Sequence, residues 1–136
     1  MSVGPRLITI PKIDDARGNL SFLQQPETIP FEICRVYWIS DVPGGESRGS
    51  HAFRETDEVV IALSGSFDVV LHDGNAELTK SLNRSYTGFY VPKMLWRTLR
   101  NFSTNSVALV LASTNYDETD YIRDFDEFCR LRQEPA

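Results

Sequence analysis

Cysteine and histidine are both scarce here, at two residues each in a chain of 136. Cys34 and Cys129 show no C-x-x-C spacing. They read as free thiols buried in a reducing compartment, with one disulfide as the alternative. Positive charge is not in excess either. Fourteen Lys and Arg face nineteen Asp and Glu, a net charge of −5 that argues against a general nucleic-acid binder. An anionic small molecule stays admissible, because a few local arginines outweigh a mildly acidic surface. No apolar run approaches the ~20 residues of a membrane span. Met1-Ser2-Val3-Gly4-Pro5 lacks the basic segment and apolar core of a secretory signal, so a cytoplasmic location is expected. There is no repeat, low-complexity tract or linker. What remains is one globular domain over residues 1–136, with 41% hydrophobic and 11% aromatic residues to fill a core.

Strand character dominates, with turn signals at short intervals, as in a sandwich or barrel. Phe31 to Ile39 alternates, placing Phe31, Ile33, Arg35, Tyr37 and Ile39 on one face and Cys34, Val36 and Trp38 on the other. Arg35 on that apolar face either reaches the rim or points into a polar cavity. Further strands are expected at Val59–Leu63, Phe67–His72, Ala76–Leu82, Gly88–Val91, Leu95–Asn101 and Val107–Ala112. Asp73-Gly74 predicts a tight type I′ hairpin turn. Residues from about 119 to 132 switch to helical period, with Tyr121, Ile122, Phe125, Phe128 and Cys129 on one face and Asp117 or Thr119 as cap. This helix is read as packing over one end of the barrel or against a partner.

Residues 49–65 run Gly49-Ser50-His51-Ala52-Phe53-Arg54-Glu55, then Glu58 and Gly65, while Gly88, Pro92, Arg97 and Asn101 follow some thirty residues on. This spacing resembles the two halves of the cupin motif, whose metal-binding members would carry histidine at 51, 53 and 97 and glutamate near 58. Phenylalanine at 53 has no donor atom, and the guanidinium at 97 carries a permanent charge with no lone pair. With two of four ligands gone, a first-row metal site is not expected. The residues read as an acid/base site.

A wider set of segments resembles one family. Asp14-Asp15-Ala16-Arg17-Gly18-Asn19-Leu20, Arg35-Val36-Tyr37, Arg48-Gly49-x-His51-Ala52, Leu63-Ser64-Gly65-Ser66-Phe67-Asp68-Val69-Val70, Asn101-Phe102-Ser103 and Tyr116-Asp117-Glu118-Thr119-Asp120-Tyr121-Ile122-Arg123 are similar to the nucleotide-sugar 3,4-ketoisomerases, from about residue 10 to 128. The resemblance implies an all-β cupin jelly roll, a homodimer and no metal or other cofactor. It implies conversion of dTDP-4-keto-6-deoxyglucose to its 3-keto isomer, a step toward amino sugars of surface polysaccharide. One departure falls within the site: Phe53 stands where the family commonly has a second histidine. Position 97 varies in the family between histidine and arginine, and here it is Arg97.

Moving a ketone from C4 to C3 requires removal of the C3 proton and delivery of one to C4 through an enediol. His51 is the expected base, since a neutral imidazole suits that task. Tyr37 is the first alternative proton donor, with Arg17 and Arg97 positioning oxygens. The diphosphate calls for guanidinium groups, for which Arg48 and Arg35 are chosen, with Arg17 nearer the sugar. Trp96, Phe53 or Tyr90 are candidates to line the pocket, Glu58 to orient a catalytic group or pair with an arginine, and Asn101 to complete the substrate-binding set. Arg54, Arg84, Arg100, Arg123 and His72 are read as surface residues. Phe53 also keeps a second class open: a reduced cupin that binds a sugar nucleotide without turnover. A 3,5-epimerase is the remaining, weaker alternative, because the motifs of those enzymes are missing.

Overall fold

The stretch Val107-Ala-Leu-Val-Leu-Ala112 holds no polar residue, as expected of a strand covered on both faces. In the structure, a computed structural model that describes residues 4–134, it lies inside a five-stranded sheet. The strands are β1 (Arg6–Thr9), β2 (Lys12–Ile13), β3 (Leu20–Ser21), β4 (Arg35–Ser40), β5 (Arg48–Phe53), β6 (Glu58–Ser64), β7 (Phe67–His72), β8 (Glu77–Leu82), β9 (Thr87–Val91), β10 (Trp96–Arg100), β11 (Val107–Ala112) and β12 (Tyr121–Ile122). One sheet runs β1-β9-β6-β11-β4, the other β12-β5-β10-β7-β8, and β2-β3 form a separate ribbon. All recorded pairings are antiparallel, giving the expected jelly roll. Among the described residues one α-helix follows, α1 (Phe125–Gln133), and no described helix is long and apolar enough to cross a membrane.

Alternation along β6 divides the apolar residues into two layers. Val60 and Ala62 face the space between the sheets, packed with Phe67, Val69, Leu71, Phe89, Leu99 and Val110. Val59 and Ile61 face outward, where Ile8, Ile10, Ile29 and Leu111 meet Phe31 and Ile33. The expected strand from Phe31 therefore begins only at Arg35, because Phe31 and Ile33 are spent covering the outer face of the sheet.

Other boundaries also shift. The helix expected from about 119 starts at Phe125: Asp117 caps only a 3₁₀ turn (Glu118–Asp120), Tyr121 and Ile122 pair with Phe53 and Ala52 as β12, and Asp124 caps α1. Asp73-Gly74 opens a four-residue turn in which the Asp73 carboxylate accepts from the Asn75 and Ala76 amides at 2.8 and 2.7 Å. Both cysteines are free, but Cys34 is exposed and Cys129 only half-buried, against the expectation of burial. His72 is half-buried, accepting from the Gly74 amide at 2.9 Å and lying edge-on to Phe125.

The helix does close one end of the barrel, through Phe128, which is fully buried with Ala52 and Ile122 beside Trp96 and Met94. Phe128→Ala is expected to destabilise the fold by about 3–5 kcal/mol, measured by urea denaturation. A loss below about 1 kcal/mol would mean that α1 is a dispensable appendage.

Candidate active site

Four strands bring the polar residues together. On β4 the face carrying Arg35, Tyr37 and Ile39 turns into the barrel, deciding the open question about Arg35 in favour of a polar cavity. On β5, His51 pairs across the sheet with Arg97 of β10, where a bulge after Arg97 shifts the register. Glu58 opens β6. Their side chains surround a cavity of about 340 Å³ lined by three arginines (Arg35, Arg48, Arg97), three tyrosines (Tyr37, Tyr116, Tyr121) and His51, with no carboxylate on the wall. A larger hollow of about 990 Å³ lies elsewhere, between Pro30, Leu71, Tyr90 and Leu95, with acidic and basic side chains interspersed and no histidine.

Under the cavity floor sits a buried ion pair. Arg97 Nε lies 2.7 Å from Glu58 Oε1, without hydrogen-bond alignment, and the two side chains are 2% and 1% exposed. The Tyr37 hydroxyl joins them, accepting from Arg97 Nη2 at 2.6 Å and donating to Glu58 Oε2. Arg97 Nη1 donates to the Gly49 carbonyl at 3.1 Å. Gly49 has φ +71°, and a Cβ there would lie 2.5 Å from Arg97 Nη1, so only glycine admits the guanidinium. Burial holds the Tyr37 phenol well above its ordinary pKa, and Glu58 adds to that, while Arg97 works the other way. Burial alone would lower the Arg97 pKa, but Glu58 more than offsets this, and the guanidinium stays charged.

His51 meets the opposite environment. Its ring lies edge-on to Phe53, with centroids 4.9 Å apart, and 4.9 Å from the ring of Tyr121. Nε2 is buried without a hydrogen-bond partner. Burial first, then the cations Arg97, Arg123 and Arg35, push its pKa down to about 3. The cavity therefore presents a neutral imidazole with an uncommitted nitrogen. Arg35 leans over the rings of Tyr37 and Tyr116, at 5.6 and 5.7 Å, and its Nε is likewise buried without a partner. Neither Arg35 nor Arg48 forms an ion pair among the described residues. An imidazole beside unneutralised guanidinium groups and phenols can bind an anion and move protons within it.

The sequence matches the family described as "FdtA: WxcM-like, C-terminal" over residues 3–133. The chain belongs to this family. A TDP-4-oxo-6-deoxy-alpha-D-glucose-3,4-oxoisomerase from Aneurinibacillus thermoaerophilus is 43% identical over 123 residues, 90% of this chain and 88% of that one. A 3,4-ketoisomerase crystal structure from Helicobacter canadensis superposes with a TM-score of 0.93 at 41% identity, covering 96% of this chain and 98% of its own. A histidine-to-asparagine mutant of the 3,4-ketoisomerase QdtA from Thermoanaerobacterium thermosaccharolyticum, solved in complex with TDP-4-keto-6-deoxyglucose, gives 0.93 at 35% identity, over 98% and 96% of the two chains.

Within this FdtA/WxcM-like chain, His51, Tyr37, Arg97, Arg35 and Arg48 converge on one cavity, with Glu58 beneath it. Other expected site residues lie apart. Arg17 is in the turn joining β2 to β3, paired with Asp15 at 2.7 Å, away from this cavity. Trp96 packs on Phe125 and Phe128 at the helix end. Asn101 holds a positive φ after β10 and donates to Asp68 at 3.3 Å. Phe53 is core, 3% exposed, backing His51 with its ring while the Arg97 guanidinium lies 5.5 Å away. Tyr90 packs with Phe31 on the outer layer. Sequence reasoning overlooked Tyr116 and Tyr121 as cavity residues, although both stand in the 116–123 segment, and Gly49 as the residue that admits Arg97. Among the described residues no cluster of three or more His, Cys, Asp or Glu is arranged to hold a metal.

Glu58→Gln is expected to cost about 3–5 kcal/mol of stability, because it strands the buried Arg97 charge. Adding Arg97→Met should recover part of that loss in urea denaturation. Equal midpoints for wild type and Glu58→Gln would show that Arg97 does not depend on Glu58.

Proposed function

We propose that this chain is a sugar-nucleotide 3,4-ketoisomerase that moves the ketone of dTDP-4-keto-6-deoxyglucose from C4 to C3 through an enediol, without a metal. The carrying observation is the cavity itself: three guanidinium groups, no carboxylate on the wall, and a neutral histidine whose Nε2 is uncommitted. The named activities of the Aneurinibacillus and Helicobacter relatives support the reading.

Arg35 and Arg48 take the diphosphate, where guanidinium forks match phosphate oxygens. His51 removes the C3 proton, and the electron pair left behind forms the C3–C4 double bond. The C4 oxygen takes the Tyr37 phenolic proton, which is held toward Glu58 Oε2 before substrate binds, giving the enediol. Tyr37 then regains a proton from the C3 hydroxyl as the C3 carbonyl forms, and His51 returns its proton to C4. No proton is gained or lost overall. Arg97, permanently charged, stabilises negative charge passing through Tyr37 and the sugar oxygens. Phe53, a non-ionising wall, leaves His51 to do both carbon proton transfers. Deoxyamino-sugar biosynthesis for surface polysaccharide, in the cytoplasm, is the setting that fits such a product. A homodimer fits the apolar outer face around Trp38, which is 64% exposed, and Leu63, 52% exposed.

Proton NMR with dTDP-4-keto-6-deoxyglucose in deuterium oxide tests the assignment. A 3-keto species is expected to appear, with deuterium entering at C3 or C4. His51→Asn should abolish exchange while dTDP affinity stays within about threefold, since a base contributes to the transition state and not to ground-state binding. Binding of dTDP without exchange in the wild type would instead favour a cupin that binds and does not turn over.

The pH dependence carries a second expectation. A histidine with depressed pKa is neutral at every pH above its folded value, so kcat/KM should show no acid limb near 6.5. A bound diphosphate neutralises Arg35 and raises the His51 pKa, so the limb of kcat should lie at higher pH than that of kcat/KM. Coincident limbs near pH 6.5 would contradict this environment for His51.

A further inference from the structure

The segment Tyr116–Arg123 contributes two tyrosines to the cavity wall, yet the reaction above gives no role to what holds it in place. Its attachment is unusual. β12 is only two residues long, and such a pairing is weak by itself. Next to it stands Asp120, a carboxylate only 8% exposed. Asp120 Oδ1 accepts from the Glu55 amide at 2.6 Å, and Oδ2 accepts from the Thr56 hydroxyl. Thr56 itself meets Thr114 Oγ1 at 2.6 Å. Arg54 adds bonds to the Thr119 and Tyr121 carbonyls at 3.2 and 3.1 Å. The residue after Asp120 is Tyr121, whose ring covers His51 and Phe53 with centroids 4.9 and 4.7 Å away. Its ring is in turn covered by Arg123, 4.4 Å from the centroid.

We propose that Asp120 is a positioning residue for the ketoisomerase reaction: its buried carboxylate straps β12 to the turn between β5 and β6 and so keeps the Tyr121 ring over the His51 imidazole. This rests on His51 being the base. The charged groups facing His51 are Arg97 from β10, Arg35 from β4, and Arg123 and Glu118 from the strapped segment. Releasing the strap lets water reach the imidazole and carries Arg123 away. Both changes favour the protonated form, and Glu118, the weakest influence, opposes them.

The test uses Asp120→Ala and Asp120→Asn in the full chain, read by NMR titration of labelled histidine without substrate and by turnover. With only two histidines, His72→Gln assigns the signals. Asp120→Ala is expected to raise the His51 midpoint by about one pH unit or more. It should lower kcat about tenfold or more, with KM changed less than about threefold, as for a displaced catalytic group. Asp120→Asn, whose amide oxygen still accepts from Glu55, should recover most of both. A folded Asp120→Ala protein with wild-type His51 titration and kcat overturns the proposal. If Asp120→Ala does not fold, Tyr121→Ala substitutes for it, and an unchanged His51 midpoint there is equally fatal. Exchange persisting in His51→Asn would sink the assignment of the base, while the titration still reports on the strap.

Discussion

A charge with nowhere to go organises this protein. Arg97 lies wholly inside the barrel, and a guanidinium cannot shed its proton to escape the cost of leaving water. Everything near it answers that demand. Glu58, at the first residue of a strand whose opening residues are buried, supplies the counter-charge. Tyr37 bridges the two, and the Gly49 carbonyl takes one further hydrogen of the fork. Hydrophobic burial makes the fold stable, while this triad fixes which side chains meet at the mouth of the barrel.

The same arrangement gives opposite environments to the two groups assigned to proton transfer in the proposed keto shift. Tyr37 lies between an anion and a cation and keeps its proton. His51, pressed between aromatic rings and facing cations, keeps its lone pair. One environment favours a neutral donor and the other a neutral acceptor, within a single cavity. The surface outside carries net negative charge, yet the cavity wall is cationic, so the field that an incoming anion meets is local rather than global.

Sequence reading reached those features that are written in short-range pattern. Period-two alternation placed Arg35, Tyr37 and Ile39 on one face before any coordinates, and motif spacing paired His51 with Arg97 across two strands. It failed where the outcome depends on tertiary competition. Phe31 and Ile33 fit a strand, but a better use for them is the uncovered outer layer of the sheet. Tyr121 and Ile122 fit a helix, but β5 offers a free edge that takes them as a strand. Trp96 stands beside Arg97 in sequence and points the other way, to the helix, because neighbours on a strand face opposite sides. Arg17 has no such pattern to read, and in its loop it pairs with Asp15.

Gly49 and Arg97 also constrain each other. With a left-handed backbone and a guanidinium at Cβ distance, position 49 is closed to every side chain while 97 is arginine. A shorter residue at 97 would remove the steric bar and leave only the conformational one. An arginine at 97 therefore requires glycine at 49, whereas glycine at 49 does not require arginine at 97.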